Sequence, residues 1–142
     1  MLVSQILRQK GDTVFTAAVS DTIAEVAQLL HARGVGALVV MDAGLVAGIV
    51  SERDVVRQLH THGASALSRP VSKIMTATVA TCTKSDTVDS LSVLMTKNRV
   101  RHVPVLDGKK LIGIVSIGDV VKTRMEELEA EQRQLQSYIT QG

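Results

Sequence analysis

The chain repeats itself, and the repeat constrains its fold more than any other feature. Ser20-Asp21-Thr22-Ile23 returns as Ser85-Asp86-Thr87-Val88, and Gly48-Ile49-Val50-Ser51 returns as Gly113-Ile114-Val115-Ser116. Asp54-Val55-Val56 returns as Asp119-Val120-Val121. Ser85 follows Ser20 by 65 residues, as Gly113 follows Gly48 and Asp119 follows Asp54, so the copies align without a gap from Ser20 to Val56. Upstream, Val3-Ser4-Gln5-Ile6 echoes Val71-Ser72-Lys73-Ile74 at a separation of 68, which leaves the first copy three extra residues around Lys10-Gly11-Asp12. The chain divides accordingly into a first repeat (1–62), a linker (63–70), a second repeat (71–124) and a C-terminal helical extension (125–142).

Each copy reads the same way. A short helical lead-in precedes a brief apolar strand, Thr13–Ala18 or Thr78–Thr83. Then Ile23, Val26, Ala27 and Leu30 form the stripe of an amphipathic helix, begun by the Thr22-x-x-Glu25 capping pattern. Val88, Leu91, Leu94 and Met95 repeat that stripe. Two apolar runs follow, Ala37–Met41 and Val46–Val50, broken at Asp42-Ala43-Gly44; His102–Leu106 and Leu111–Val115 break at Asp107-Gly108-Lys109. Asp and Gly at the break favour a β-hairpin. A second helix begins after Ser51 or Ser116. The expected fold is α/β of the α+β kind, with two βαββα repeats about a pseudo-two-fold axis. One copy is too small to bury its own apolar faces, so the copies should pack sheet to sheet around a shared core, with a cleft between them.

Composition narrows the function. The chain is 45% hydrophobic but only 1% aromatic, so aliphatic side chains and Met must fill the core. A net charge of +2 predicts no nucleic-acid partner. The single cysteine, Cys82, forms no internal disulfide and belongs in an apolar strand; no Cys/His spacing suggests zinc. The first residues are too short and polar for a signal peptide, and no apolar run spans a bilayer, so a cytoplasmic protein without membrane contact is expected. No motif of an enzyme occurs. Val121, Met125, Leu128, Leu135 and Tyr138 continue a helical stripe beyond the second copy, to pack on the chain itself or on a second molecule.

The candidate site lies where each hairpin runs into its second helix. In Gly-Ile-Val-Ser-x-x-Asp, Ser51 and Ser116 fall at the N-cap, and Asp54 and Asp119 at the third helical position. That spacing is a capping box in its own right. Its occurrence at both sides of the expected cleft also suits a ligand: the helix N-terminus favours an anion, and the carboxylate accepts from two vicinal hydroxyls. Phosphate plus ribose needs both. Arg101 and His102, before the Val103-Pro104 strand, add donors for phosphate. Arg99 and Arg53 stand nearby, and either serves the cleft or faces water. Pro104 removes a backbone donor, which marks an edge or an opening. The first copy has Gly36 and Ala37 where the second has Arg101 and His102, so the halves are electrostatically unequal.

From Arg101-His102-Val103-Pro104 through Gly113-Ile114-Val115-Ser116-Ile117-Gly118-Asp119 the chain resembles the CBS domain, named after cystathionine β-synthase, and Gly36 through Asp54 resembles it again. The likeness runs from about Val3 to Lys122. It implies a CBS pair, or Bateman module, that binds adenosine-containing ligands (AMP, ADP, ATP, NAD or S-adenosylmethionine) between repeats and commonly dimerises. It assigns ribose to Asp54 and Asp119, and phosphate to Ser51, Ser116, Arg101 and His102. The resulting expectation is a homodimeric regulatory sensor of an adenine nucleotide (AMP, ATP or NAD), with no catalytic cofactor, that signals to an unknown protein. The alternative is a ligand-independent interaction scaffold.

Overall fold

The structure, a computed structural model, describes residues 1–141. The order of elements is α1 (Val3–Lys10), β1 (Thr16–Ala18), α2 (Ile23–Arg33), β2 (Ala37–Asp42), β3 (Leu45–Ser51), α3 (Glu52–His62), α4 (Val88–Asn98), β4 (His102–Asp107), β5 (Lys110–Ser116) and α5 (Ile117–Gln141). Short 3-10 turns over Gly63–Ser68 and Val71–Lys73 join α3 to the second copy. The hairpins pair in equivalent registers, Val40 with Gly48 and Val105 with Gly113, and each has an irregularity just after that pair. Thr22 and Thr87 cap α2 and α4, accepting from the amides of Glu25 and Ser90. The matched geometry is that of two structural repeats.

The buried side chains do not form the one shared core that was expected. Two clusters form, and each captures the other copy's lead-in. Val3, Ile6 and Leu7 pack with Cys82, Val88, Leu91, Val103, Val115 and Val120 of the second copy. Val71, with Ile74 and Met75 beside it, packs with Ile23, Val26, Leu38, Val50 and Ala66 of the first. Backbone bonds repeat the exchange: Val3 donates to Asp86 (2.9 Å) and Val71 to Asp21 (2.7 Å), while Val88 donates to Met1 and Ile23 to Arg69 (both 2.9 Å). The polar segment expected as a linker is therefore part of the first copy's wall, since Ala66 is wholly buried and Thr22 bridges to Pro70.

A second correction concerns Thr78–Thr83. In the first copy β1 runs parallel to β2, pairing Thr16 with Val39, Ala17 with Val40 and Ala18 with Met41. In the second copy only the bridge from Cys82 to Val105 survives. Cys82 donates to Pro104 (3.0 Å) and accepts from Leu106 (2.9 Å). Pro104 holds the place of Val39 and has no N–H with which to extend the ladder.

Gly48 and Gly113 admit the exchanged lead-ins. A Cβ on Gly48 would lie 2.7 Å from the Thr76 carbonyl and from the Met75 sulfur, whereas one on Gly113 would meet only the Leu7 side chain, at 2.6 Å. Backbone yields less readily than a leucine tip. Gly48→Ala should therefore destabilise by about 2–3 kcal/mol and Gly113→Ala by about 1 kcal/mol. Urea unfolding of both variants checks this, and equal losses would refute the exchange as the cause.

Candidate functional site

Each strand pair ends in a helix cap that is fully made. The Ser51 amide donates to Asp54 Oδ2 (2.8 Å), the Ser51 hydroxyl does so at 3.1 Å, and the Asp54 amide returns to Ser51 Oγ (3.4 Å). In the second copy Ser116 donates its amide to Asp119 Oδ2 (2.8 Å), and the Asp119 amide bonds Ser116 Oγ (3.2 Å). Both carboxylates are partly buried, and each keeps Oδ1 outside these bonds. Arg57 approaches Asp54 Oδ1 at 3.6 Å from one turn on.

The copies differ in what lies over the caps. Lys10 Nζ donates to Asp119 Oδ2 (2.6 Å) and to the Ile114 carbonyl (2.9 Å). At the matching place in the first copy, the Ile49 carbonyl is served by the Thr76 amide (2.9 Å). The three extra residues of the first lead-in thus replace a backbone bond with an ammonium group. Burial opposes the Asp119 charge, but the Lys10 bond, the Ser116 bonds and the Lys10 charge outweigh it and hold the carboxyl below its ordinary value.

His102 stands at the seam. Its ring lies over Gly36 of the first copy, where a Cβ would come within 3.5 Å of Cε1 and 2.8 Å of Glu52 Oε1. Gly36 is thus the seat of the second copy's imidazole. Burial, and then the Lys10 charge, lower the His102 pKa against the raising effects of Asp119 and Glu52; Arg101 lowers it further. The ring is neutral near pH 7, with one nitrogen to donate and one to accept. Arg101 is exposed, as is Arg53, and neither has an ion pair among the described residues.

The other sequence candidates hold β4 in place and do not line open space. Val103 is wholly buried in the second core, and Pro104 is buried with its carbonyl on Cys82. Arg99 takes a left-handed conformation (φ 54°), the place that Gly34 (φ 62°) fills in the first copy. Sequence reasoning gave no role to Lys10 or Glu52, and read Gly36 only as the first copy's counterpart of Arg101. The insertion at Lys10 was the one signal available. None of the nine residues singled out lines either of two clefts. One, of about 600 Å³, lies at the hairpin tips between Asp12, Met41, Leu45 and Lys110. The other, of about 260 Å³, lies between α2 and α3. The tips are at the far end of the strands from both caps.

Residues 3–61 and 71–126 each match the CBS domain. The chain belongs to the CBS domain family. Among similar proteins, the CBS domain-containing protein CBSX3, mitochondrial, of Arabidopsis thaliana is 36% identical, over 99% of this chain and 72% of its own length. The CBS-domain protein ATU1752 from Agrobacterium tumefaciens superposes with a TM-score of 0.85 at 46% identity, covering 87% of this CBS pair and 99% of that chain. The CBS domain pair of protein MJ0100, solved with 5′-methylthioadenosine and S-adenosyl-L-methionine, gives 0.80 at 26%, covering 89% and 98%. Among the described residues no helix is long and apolar enough to cross a membrane, and no cluster of metal-ligating side chains occurs.

The Lys10–Asp119 pair carries a pH signature. A carboxylate held below its ordinary value of 3.8 stabilises the fold above that value, and the contribution fades as pH falls through the lowered pKa. Lys10→Met should cost roughly 1 kcal/mol near neutral pH, with the difference from the parent shrinking below about pH 4. Urea unfolding across that range measures it. A constant difference would assign the effect to packing.

Proposed function

We propose that this CBS pair is a regulatory module that binds an adenine nucleotide (AMP, ATP or NAD) at the helix caps along the seam between the copies, and that it acts as a homodimer signalling to another protein. The observation that carries this reading is the seam itself. Lys10 sits on the Asp119 carboxylate, and the neutral His102, which feels the charges of Lys10, Asp119, Glu52 and Arg101, lies over Gly36 of the other copy. Asp119 accepts the ribose hydroxyls; Ser116, Arg101 and His102 hold phosphate. Ser51, Arg53 and Asp54 form the first copy's weaker counterpart, since Gly36 supplies no cation there. A related pair, that of MJ0100, was solved with adenosine-containing ligands, which supports the ligand class.

Occupancy has a structural cost that makes it readable. Ribose on Asp119 displaces Lys10, which then turns to phosphate and frees the Ile114 carbonyl. A ligand shifts the arrangement of the copies only by its difference in affinity for the two states. The rival reading, a ligand-independent scaffold, draws on the caps being satisfied without a ligand.

Isothermal titration with AMP, ATP, NAD and S-adenosylmethionine decides between them. Charge-assisted contacts are worth about 1.5–3 kcal/mol, so Arg101→Ala should weaken binding roughly tenfold or more. Asp119→Ala should abolish it while the protein stays folded. Saturable binding lost in Asp119→Ala supports the sensor; no binding by folded, nucleotide-free protein supports the scaffold.

His102 adds a second expected outcome. Phosphate beside the ring favours its charged form, so binding at about pH 6 takes up protons. The apparent enthalpy should then vary with the ionisation enthalpy of the buffer. Independence from the buffer would place phosphate away from His102.

A further inference from the structure

The second half of α5 stands off the molecule. Val120 and Thr123 anchor the helix to its own copy at 4% and 3% exposure. Arg124 pairs with Asp89 of α4 and with Glu127, and Glu127 also meets the N-terminal amine. Beyond Glu127 every described residue of α5 is exposed, and Leu128, Leu135 and Ile139 are 64%, 63% and 75% exposed. A free helical segment this short is marginal in water, so a face this apolar calls for cover.

Its spacing says what kind. From Val121 onward the large apolar residues are Val121, Met125, Leu128, Leu135, Tyr138 and Ile139. All but Tyr138 fall on the a and d places of one heptad frame, with Met125, Gln132 and Ile139 at a and Val121, Leu128 and Leu135 at d. A helix lying on a globular surface carries a broader stripe. A seam confined to a and d is the mark of a two-stranded coiled coil. Val120 and Thr123 lie on the opposite face, so burial in the chain's own core leaves the seam free.

Charge selects the partner and its direction. In a parallel pair of identical helices, Arg124 at g faces Glu129 at e of the other strand, on both sides of the seam. Arg124 is 52% exposed and so still presents charge beyond its contact with Asp89. In the antiparallel pair with full overlap, Glu129 meets Glu129 and Glu131 meets Glu131, which is repulsive. Gln132 interrupts the seam at one a place, where in-register pairing sets it against its own copy, amide to amide, and so favours that alignment.

We propose that α5 from Val121 to Ile139 forms a parallel, in-register coiled coil with the same helix of a second copy. This deepens the homodimer part of the proposed function and does not depend on nucleotide binding.

The test uses the full chain with one new cysteine. Cys82 is buried and its thiol is pushed up to about 12 by burial and the Asp86 charge, so it stays silent. Under mild oxidation Gln132→Cys should form an interchain disulfide nearly completely, and Ser137→Cys, on the outer f place, should form little. In sedimentation equilibrium, Leu128→Glu with Leu135→Glu should raise the dimer dissociation constant about a hundredfold or more. A parent dimer that survives that double substitution and does not cross-link at position 132 would overturn the coiled coil and leave a homodimer through another face. A monomeric parent would overturn both and assign the stripe to an unlike partner. Nucleotide titration of the double variant reads the sensor function separately.

Discussion

The architecture depends on the exchange of lead-in segments. Neither copy can close its own core: the first needs Val71 from the second, and the second needs Val3, Ile6 and Leu7 from the first. The glycines of the repeated Gly-Ile-Val-Ser motif serve this exchange, because a side chain on Gly48 or Gly113 would collide with the incoming lead-in. The hydrophobic term is the main stabilising one here, and it is distributed so that separating the copies would open both cores at once. That is why the caps at the strand ends hold a fixed relation across the seam. Each cap is carried by a strand pinned by the other copy.

Much of the fold was legible because the chain states it twice. The helix stripes, the hairpin breaks at Asp42 and Asp107, and the caps at Thr22, Ser51 and Ser116 follow from local rules that one sequence suffices to apply. What was not legible is non-local. Nothing in Val3-Ser4-Gln5-Ile6 indicates which sheet it packs against, since amphipathic spacing names a face and not its partner. The lost strand near Cys82 was foreshadowed by Pro104, whose missing donor was noted without its effect on the neighbouring segment. Ala66 sits in a run of Gly, Ser and Ala that reads as linker, and only tertiary contact shows it to be core.

The site was legible in the same uneven way. The repeated Ser and Asp were found by their spacing, and the structure gives them the cap geometry expected of it. Arg101 and His102 were singled out as donors set just before a buried strand, with Gly36 and Ala37 at the matching places of the first copy. Gly36 was then read as a missing contact, when it is the floor on which His102 rests. Lys10 was marked only as part of an insertion, yet its ammonium binds both the Asp119 carboxylate and the Ile114 carbonyl, where the first copy offers the Thr76 amide to Ile49. Duplication made the copies alike, and three added residues with one glycine-for-arginine difference made their caps chemically distinct.

Pro104 has one more effect. A strand with open donors and acceptors along its outer side is a template on which a strand from another molecule can grow. β4 meets only Cys82 on that side, so its edge is short of cover. The proline ring removes the donor an intruding strand would need at that point and blunts the edge. The residue that deprives the second copy of a full third strand therefore also protects it from aggregation through the gap that remains.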